Sequence, residues 1–266
     1  MITSTKNDRI RFIKSLSQRK NREENGCFFV EGLRGVCDGI RSSFRTKNVV
    51  VSKTFKNSEY YQEFEKTAKN AGIDFTEDNY FEVTSEVFRY FSETETPQGI
   101  GAIFEIPMAP GVTGDSVILL ENLQDPGNMG TIIRTADAAG FDSVICTRGC
   151  VDVYNQKVIR STAGSIFHIP VLQTGLTGEE IAEQLHGHGY KLYAAHPRGN
   201  VSCFDEPFTG KSVIVIGNEA NGLTATMIKN CDTLLTIPMP GNAESLNASV
   251  AAALLIYEKT RKKVTL

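Results

Sequence analysis

Polar side chains that could bind an anion or orient an alcohol follow an apolar run in the second half of the chain. Residues 121–136 read Glu-Asn-Leu-Gln-Asp-Pro-Gly-Asn-Met-Gly-Thr-Ile-Ile-Arg-Thr-Ala and come directly after the apolar run 117–120. The Asn, Asp, Pro and Gly residues predict a tight turn, and a helix over about 128–139 would then offer free backbone N–H groups to an anionic guest. Arg134 would lie in the first turns of that helix, where the macrodipole disfavours a cation unless an anion compensates it. Turn and cap chemistry alone would explain the Asn and Asp residues equally well.

A second segment places glycine and a carboxylate after another apolar run. Residues 217–223 read Gly-Asn-Glu-Ala-Asn-Gly-Leu and follow the run 213–216. Glycine at this point lets a ligand approach the backbone, and Glu219 adds a carboxylate to the same crevice. The segment matches neither the Rossmann GxGxxG pattern nor the Walker GxxxxGK loop, so nicotinamide and ATP chemistry lose support. A helix-initiating turn would explain the same residues.

A third segment joins an extended loop to the last helical pattern. Residues 237–249 read Ile-Pro-Met-Pro-Gly-Asn-Ala-Glu-Ser-Leu-Asn-Ala-Ser. The prolines and the glycine predict an extended loop, and Ser245 or Asn247 could cap the terminal helix over 245–259. Helix capping is a sufficient explanation for either of these residues alone.

Short apolar runs alternate with helical patterns across this half of the chain, which predicts a parallel sheet covered by helices on both faces. The predicted strands are 117–120, 144–146, 191–195, 213–216 and 234–237, and the predicted helices are 128–139, 179–185 and 245–259. Ligand sites in such α/β sheets lie in the loops at the carboxyl ends of the strands. The three polar segments each begin at such a position.

The first half of the chain predicts a smaller α/β domain. Strands are expected at 28–30, 49–51 and 98–106, with a helix at 58–71. Residues 107–114 contain two prolines and two glycines, a composition typical of a linker. We therefore expect one domain at 1–106 and a second at 115–266.

Charge is concentrated at the start of the chain. The total net charge is −3, which by itself disfavours a general nucleic-acid binder. Residues 1–22, however, carry seven basic side chains and one acid, Asp8, a local balance of +6. Ile10, Ile13 and Leu16 recur there at helical spacing, so we expect an amphipathic helix whose cationic face would attract polyanions. An ordinary solvated helix is the alternative.

Composition excludes several other classes of protein. The six cysteines form no CxxC pair and have no histidine at metal-ligand spacing, so we expect free thiols and no metal. No apolar window is long enough for a membrane span, and the polar start lacks the apolar region of a secretory signal, so a cytoplasmic protein is expected. We expect structural or solvated roles for His168, in a predicted strand, and for His186 and His188, and a place in a ligand-binding loop for His196.

Taken together, the patterns NxxDPxNxGxxxRTA, GNExxGL and IPMxGxxxSLNxSxA, in this order and each after a strand, resemble the SpoU class of the SPOUT superfamily. These are TrmH-like RNA ribose 2′-O-methyltransferases, and the resemblance covers about residues 115 to 260. It implies an α/β fold with a parallel sheet, a trefoil knot at the carboxyl end of that sheet, and a homodimer that completes the site. The first domain resembles the L30e-like RNA substrate-binding domain that often accompanies this class.

The resemblance also implies a cofactor, S-adenosylmethionine (AdoMet), and a set of site residues. The cofactor would contact Ala195, His196, Gly217, Asn218, Ile237, Leu246 and Ala248, and the catalytic set would be Asn122, Arg134, Glu219, Ser245 and Asn247. Within that set, Asn122 would orient Arg134 or the ribose, Glu219 would anchor the substrate or a neighbouring loop, and Ser245 and Asn247 would bind substrate and fix the third loop.

The family would nominate Arg134 to activate or orient the ribose 2′-hydroxyl. A guanidinium stays protonated at neutral pH and is a poor base, so we favour orientation and stabilisation of the forming alkoxide over deprotonation. The expected substrate is ribosomal RNA. Transfer RNA, methylation of a base, and a non-catalytic RNA-binding or ribosome-assembly role remain alternatives, and a nicotinamide oxidoreductase is weaker because GxGxxG is absent.

Overall fold

The computed structural model describes residues 1–108 and 111–263. These form two compact units. Unit 1 comprises Met1–Met108 together with Tyr154–Phe167, and unit 2 comprises the other described residues, 111–153 and 168–263. Part of the linker expected at 107–114, residues 109 and 110, lies outside the described residues, as do the last three residues of the second predicted domain.

Helices and strands alternate through both halves of the chain. The elements up to residue 108 are α1 (Asp8–Ser15), α2 (Arg19–Asn25), β1 (Cys27–Glu31), α3 (Leu33–Arg41), β2 (Thr46–Ser52), α4 (Lys53–Lys56), α5 (Tyr60–Asn70), β3 (Tyr80–Val83), α6 (Ser85–Phe91) and β4 (Ile100–Glu105). From residue 111 onward they are β5 (Ser116–Leu120), α7 (Pro126–Ala138), β6 (Ser143–Cys146), α8 (Gln156–Thr162), a 3₁₀ helix (Ser165–Phe167), β7 (Val171–Gln173), α9 (Gly178–Gly187), β8 (Lys191–Ala195), β9 (Val201–Ser202), β10 (Ser212–Ile216), α10 (Ala225–Asn230), β11 (Thr233–Thr236) and α11 (Ala248–Lys263).

Unit 1 contains a four-stranded mixed sheet in the order β1-β4-β2-β3. Strand β4 is antiparallel to β1 and β2, whereas β3 is parallel to β2. The expected amphipathic first helix is present, and Ile10, Ile13 and Leu16 are buried in the core of this unit.

The cations of α1 and α2 are more neutralised than the charge of residues 1–22 suggests. Arg19 and Lys20 face Glu23 and Glu24 one turn later, at 2.7 and 3.7 Å. Arg22 is buried and donates to a backbone carbonyl at 2.6 Å. Arg9 and Arg11 also pair with carboxylates, those of Asp78 and Asp8. These two helices therefore offer RNA a weaker cationic face than expected.

A segment from the second half of the chain completes the aromatic core of unit 1. Tyr154 and Phe167 contact the ring of Phe28 on β1, with centroids 4.6 and 6.1 Å apart, and Phe167 also contacts Phe44 and Phe104. The single boundary expected at the linker does not account for this segment, because the linker's composition carries no information about later contacts. Unit 1 is thus built from two stretches of chain.

Unit 2 contains a seven-stranded sheet in the order β7-β6-β5-β10-β8-β11-β9, and every neighbouring pair is parallel. The central strands β5 and β10 are buried along their whole length, as expected for strands covered on both faces. The predicted α/β fold with a parallel sheet is confirmed. His168, however, lies in a turn directly after the 3₁₀ helix, so the prediction that His168 lies in a strand is wrong.

The start of β5 depends on one linker glycine. Gly114 has φ +82°, and a Cβ there would lie 2.1 Å from Cγ of Asp142. The Asp142 carboxylate accepts the backbone N–H groups of Asp115 and Ser116, both at 2.8 Å, and so fixes the first residues of β5. Gly111 has open space around its Cα.

We expect Gly114→Ala to lower the free energy of unfolding by at least about 2 kcal/mol, because it combines a left-handed backbone with a displaced Asp142. Gly111→Ala is the matched control and should change it by less than about 1 kcal/mol. Urea unfolding followed by circular dichroism measures both. Equal stability of the two variants would contradict this account of β5.

Candidate active site

A cavity of about 380 Å³ lies among the loops at the carboxyl ends of β8, β10 and β11. Its walls include all seven residues that the resemblance assigns to the cofactor, together with two of the predicted catalytic residues. These are Ala195, His196, Gly217, Asn218, Ile237, Leu246 and Ala248, and Glu219 and Ser245. The second and third polar segments therefore meet at one edge of the sheet. Asn122, Arg134 and Asn247 are not among the lining residues.

The loop after β10 makes a turn that only glycine permits at its first position. A Cβ on Gly217 would lie 2.4 Å from the carbonyl carbon of Gly222. Asn218 and Gly222 exchange two backbone hydrogen bonds, at 3.0 and 2.9 Å. The Asn218 side chain accepts from the N–H groups of Ala220 and Asn221, both at 3.0 Å. Gly217 is thereby held with its backbone at the cavity wall.

The Glu219 carboxylate joins this loop to the start of α7. It accepts the N–H groups of Gln124 at 3.2 Å and Asp125 at 2.9 Å, and the side-chain amide of Asn128 at 3.2 Å. Burial raises the pKa of Glu219, but the hydrogen bonds from Asp125, Asn128 and Gln124 outweigh it and hold the pKa below its ordinary value. We call this set of contacts the Glu219 clamp. It fits the predicted anchoring of a neighbouring loop.

Asn122 lies in the loop after β5, two residues before the first backbone partner of the Glu219 clamp. Its φ is +54°, a left-handed conformation that Asn tolerates better than most residues. Its carbonyl accepts the side-chain amide of Asn218 at 2.9 Å, and its Oδ1 lies against Gly149, where a Cβ would be only 2.4 Å away. Within the described chain, Asn122 makes no hydrogen bond to Arg134, so here it supports the loops and does not orient that guanidinium.

Arg134 is exposed and lies deeper in its helix than the sequence suggested. Helix α7 begins at Pro126, with the Asp125 side chain as its N-cap. Arg134 is its ninth residue, about 12 Å along the axis from the first, so the argument from the macrodipole at the first turns does not hold. Among the described residues, Arg134 has no hydrogen-bond or ion-pair partner, which leaves its guanidinium available to an anion.

In the third segment, Asn247 caps a helix and Ser245 lines the cavity. The Asn247 side chain accepts from the N–H and hydroxyl of Ser249 at 2.9 and 2.7 Å, and from the N–H of Val250 at 3.4 Å. Asn247 is therefore the N-cap of α11, one of the two caps expected from the sequence. Ser245 is exposed and lines the cavity.

Several lining residues escaped the sequence analysis. Arg198 brings a guanidinium to the cavity, and Met239 and Asn221 complete its walls. Arg198 follows His196 in the loop after β8, so its position after a predicted strand was an available signal. Glu121 was also missed: it is buried and accepts the N–H and hydroxyl of Thr224 at 2.9 and 2.8 Å, which fixes the turn before α10.

Three of the four histidines have partners away from the cavity. His168 pairs with Asp137 and His186 with Asp232, both at 3.1 Å, and His188 contacts the carbonyl of Gln184 at 2.7 Å. Over residues 1–108 and 111–263, no cluster of three or more His, Cys, Asp or Glu side chains is arranged to hold a metal ion. In the same residues, no helix is long and apolar enough to cross a membrane.

The cavity and the exposed guanidinium of Arg134 suit different chemical groups. Apolar side chains and backbone groups at Gly217 suit a planar heterocycle, and Arg198 suits a carboxylate on the same ligand. Arg134 suits a phosphate or a developing alkoxide. The Glu219 clamp connects the two, because it lines the cavity and also holds the helix that carries Arg134.

Known proteins are similar to this chain over nearly its whole length. The 23S rRNA (guanosine(2553)-2′-O)-methyltransferase RlmP of Bacillus subtilis is 34% identical over 256 residues, covering 96% of this chain and 97% of that protein. The crystal structure of the SpoU methyltransferase AviRb from Streptomyces viridochromogenes, in complex with the cofactor AdoMet, matches with a TM-score of 0.87 and 27% identity, over 98% of this chain and 99% of that one. An AdoMet-bound rRNA methyltransferase from Sinorhizobium meliloti matches with a TM-score of 0.86 and 28% identity, over 99% and 98% of the two chains.

Two family models divide the chain between them. Residues 7–102 match the MRM3-like substrate binding domain. Residues 115–257 match the SpoU rRNA Methylase family, and these residues contain all three polar segments. With this match and the similarity to RlmP over nearly its full length, the chain belongs to the SpoU rRNA methylase family.

Proposed function

We propose that this protein transfers the methyl group of AdoMet to the ribose 2′-hydroxyl of a nucleotide in ribosomal RNA. The observation that carries the proposal is the cavity at the carboxyl ends of β8, β10 and β11, whose walls bring together the loop residues of the second and third motifs. The Glu219 clamp ties the first motif to this cavity. The relatives named for 23S rRNA 2′-O-methylation and for AdoMet binding support the substrate and the cofactor. The proposal includes a role in rRNA processing and a cytoplasmic location.

The cavity fits AdoMet in size and chemistry. Its volume of about 380 Å³ lies within the range of small-molecule sites, and its walls present apolar and polar surface in nearly equal parts. Ile237, Leu246 and Met239 would surround the adenine, and Gly217 would let backbone groups approach it. Arg198 would balance the carboxylate of the methionine part. Bound AdoMet supplies an electrophilic methyl group on a sulfonium.

The chain's own residues would position the nucleophile. Arg134 would hold the 2′-hydroxyl and an adjoining RNA phosphate, and its fixed positive charge would stabilise the oxygen as its proton leaves. Holding the hydroxyl in line with the methyl group supplies a large part of the rate by itself. Glu219 and Asn122 would act indirectly, because their hydrogen bonds hold the loops and the helix that carry the site.

A homodimer would complete this site. Leu246, Val250, Leu254 and Tyr257 are 37 to 52% exposed. Val250, Leu254 and Tyr257 follow one another at helical spacing along α11, and Leu246 lies two residues before the helix. This apolar stripe begins at Leu246, which also lines the cavity. Helix α7 packs beside α11, so Arg134 lies on the helix next to the stripe. We propose that a second copy covers the stripe and that Arg134 of one copy acts at the cavity of the other.

We expect Arg134→Ala to lower tritiated methyl transfer to unmodified 23S rRNA by about 100-fold or more, as loss of a transition-state donor does. Arg134→Lys should recover part of the activity, because it keeps the charge and loses the planar fork. Digestion to nucleosides and mass spectrometry locate the methyl group on ribose or base.

Activity unchanged in Arg134→Ala would overturn the role of Arg134. Binding without any transfer to rRNA or transfer RNA by the wild type would favour an assembly factor, and transfer to transfer RNA alone would change the substrate.

Mixing two inactive variants tests whether Arg134 acts across the dimer. Gly217→Val should distort the cavity wall, because its Cβ would meet the backbone of Gly222. Co-refolded with Arg134→Ala, it should restore up to about a quarter of wild-type activity, since half of the dimers then carry one complete site. No recovery from a mixture shown to exchange subunits would place Arg134 at its own cavity.

We expect Glu219→Gln to raise the Kd of AdoMet about three- to tenfold, because a neutral amide accepts fewer of the clamp's hydrogen bonds. The pKa of Glu219 is held below its ordinary value, so the carboxylate is ionised throughout pH 6–9 and wild-type affinity should not follow its titration there. The clamp's contribution is present above about pH 4.3 and is lost only as the pH falls through the lowered pKa. Calorimetry measures the affinity, and Glu244→Gln, an exposed carboxylate outside the cavity lining, is the control. Equal affinities of the two variants would contradict the clamp.

We expect the double variant Val250→Lys and Leu254→Lys to be monomeric by size-exclusion chromatography with light scattering, because two cations would be buried in the apolar interface. Tyr60→Lys replaces an equally exposed aromatic residue of unit 1 and should remain dimeric. A monomeric wild-type protein, or a dimer that survives the double substitution, would refute the interface.

A further inference from the structure

Unit 1 contains a second cavity, separate from the candidate active site. Its volume is about 280 Å³, just below the usual range for small-molecule sites. One wall is the end of β1 and the turn into α3, from Phe29 to Gly35, and the other is α8 with the 3₁₀ helix, including Ile159 and Phe167. The walls are mostly apolar, and the size suits a single planar ring system.

One buried polar atom at this cavity lacks a partner. Gln156 is the first residue of α8, lines the cavity and is 8% exposed. Its Oε1 is buried and has no hydrogen-bond partner among the described residues. A buried, unsatisfied carbonyl costs folding stability, so it needs an explanation. A ligand that donates an N–H would supply one if the Gln156 side chain turned its Oε1 toward the cavity, because the oxygen has almost no accessible surface in its present rotamer.

Two guanidinium groups stand at the mouth of the cavity. Arg34 and Arg160 line it and are both exposed. Each has a carboxylate only at 3.8 Å, Asp38 for Arg34 and Glu93 for Arg160, which is longer than a charge-assisted hydrogen bond. Both can therefore turn to an anion in solvent. Arg9, Arg11 and Lys20 of the first two helices have carboxylates at similar distances of 3.7 to 3.8 Å. What distinguishes Arg34 and Arg160 is therefore their place beside the cavity.

We propose that this cavity binds one unpaired nucleobase of the RNA substrate. The apolar walls enclose the ring, Gln156 Oε1 accepts an N–H from the edge of the base, and Arg34 and Arg160 bind the flanking phosphates. Proteins read RNA mainly through unpaired bases held in this way, because the grooves of an A-form duplex do not present them. The inference rests on the proposed function only in taking RNA as the substrate.

Binding of a short RNA without AdoMet tests the proposal. The probe is a fluorescein-labelled 12-nucleotide RNA of mixed sequence, either single-stranded or annealed to its complement, titrated with the full chain at fixed salt. We expect wild type to bind the single strand more tightly than the duplex. Gln156→Leu, which removes the acceptor, and Ile159→Phe, which fills the cavity, should each weaken single-strand binding about five- to tenfold and leave duplex binding unchanged.

Matched variants separate the cavity from general effects. Gln62→Leu and Arg89→Ala change exposed residues of unit 1 that do not line the cavity, and they should bind as wild type. Arg34→Ala should weaken single-strand binding and lower its salt dependence by about one phosphate contact. Thermal unfolding checks that Gln156→Leu is folded, and its Tm should not fall, because the unpartnered acceptor is gone.

Wild-type affinity in both cavity variants would overturn the proposal, as would equal weakening of single strand and duplex, or no binding of the RNA at all. Because the assay involves no methyl transfer, a failure of the proposed activity would leave a positive result here standing. Conversely, normal methyl transfer with unchanged binding by Gln156→Leu would overturn this inference alone.

Discussion

The candidate site depends on one carboxylate that lies between two loops. Glu219 accepts hydrogen bonds from two backbone N–H groups at the start of α7 and from the side chain of Asn128. These partners lie more than 90 residues before Glu219 in the sequence, so the contacts close a long loop and fix its ends. Without them, nothing in this junction would fix the position of the helix that carries Arg134 relative to the wall of the cavity.

The parallel sheet brings together the two loops that Glu219 joins. Strands β5 and β10 are neighbours, with Leu120 paired to Ile216, so the segments after them leave the sheet side by side. Asn122 and Asn218 each lie two residues beyond this pair, and their hydrogen bond continues the contact past the end of the ladder. The polar loops are thus placed by buried apolar strands that take no part in the chemistry, as is usual for the carboxyl ends of α/β sheets.

Sequence reasoning succeeded where local patterns decide the outcome. The strand at Lys191–Ala195 was predicted with its observed bounds, and the α7 and α11 helices within a few residues. Helix α3 was not predicted, because its two glycines lower helix propensity. The structure explains one of them: a Cβ on Gly39 would lie 2.3 Å from the ring of Phe104. The direction of the Asn122 side chain, and the place of Arg198 in the cavity wall, depend on contacts between distant segments and could not be deduced from spacing.

The division of unit 1 into two stretches of chain also affects the order of events during synthesis. A domain made of one continuous stretch can fold as soon as its last residue leaves the ribosome, but the aromatic core around Phe28 includes Tyr154 and Phe167. The 59 residues from 109 to 167 take roughly 3 to 12 s to translate at about 5 to 20 residues per second. During that interval the ring of Phe28 lacks two of its aromatic neighbours. The first unit to be synthesised is therefore completed only after the first stretch of the second unit, up to Val153, has been made.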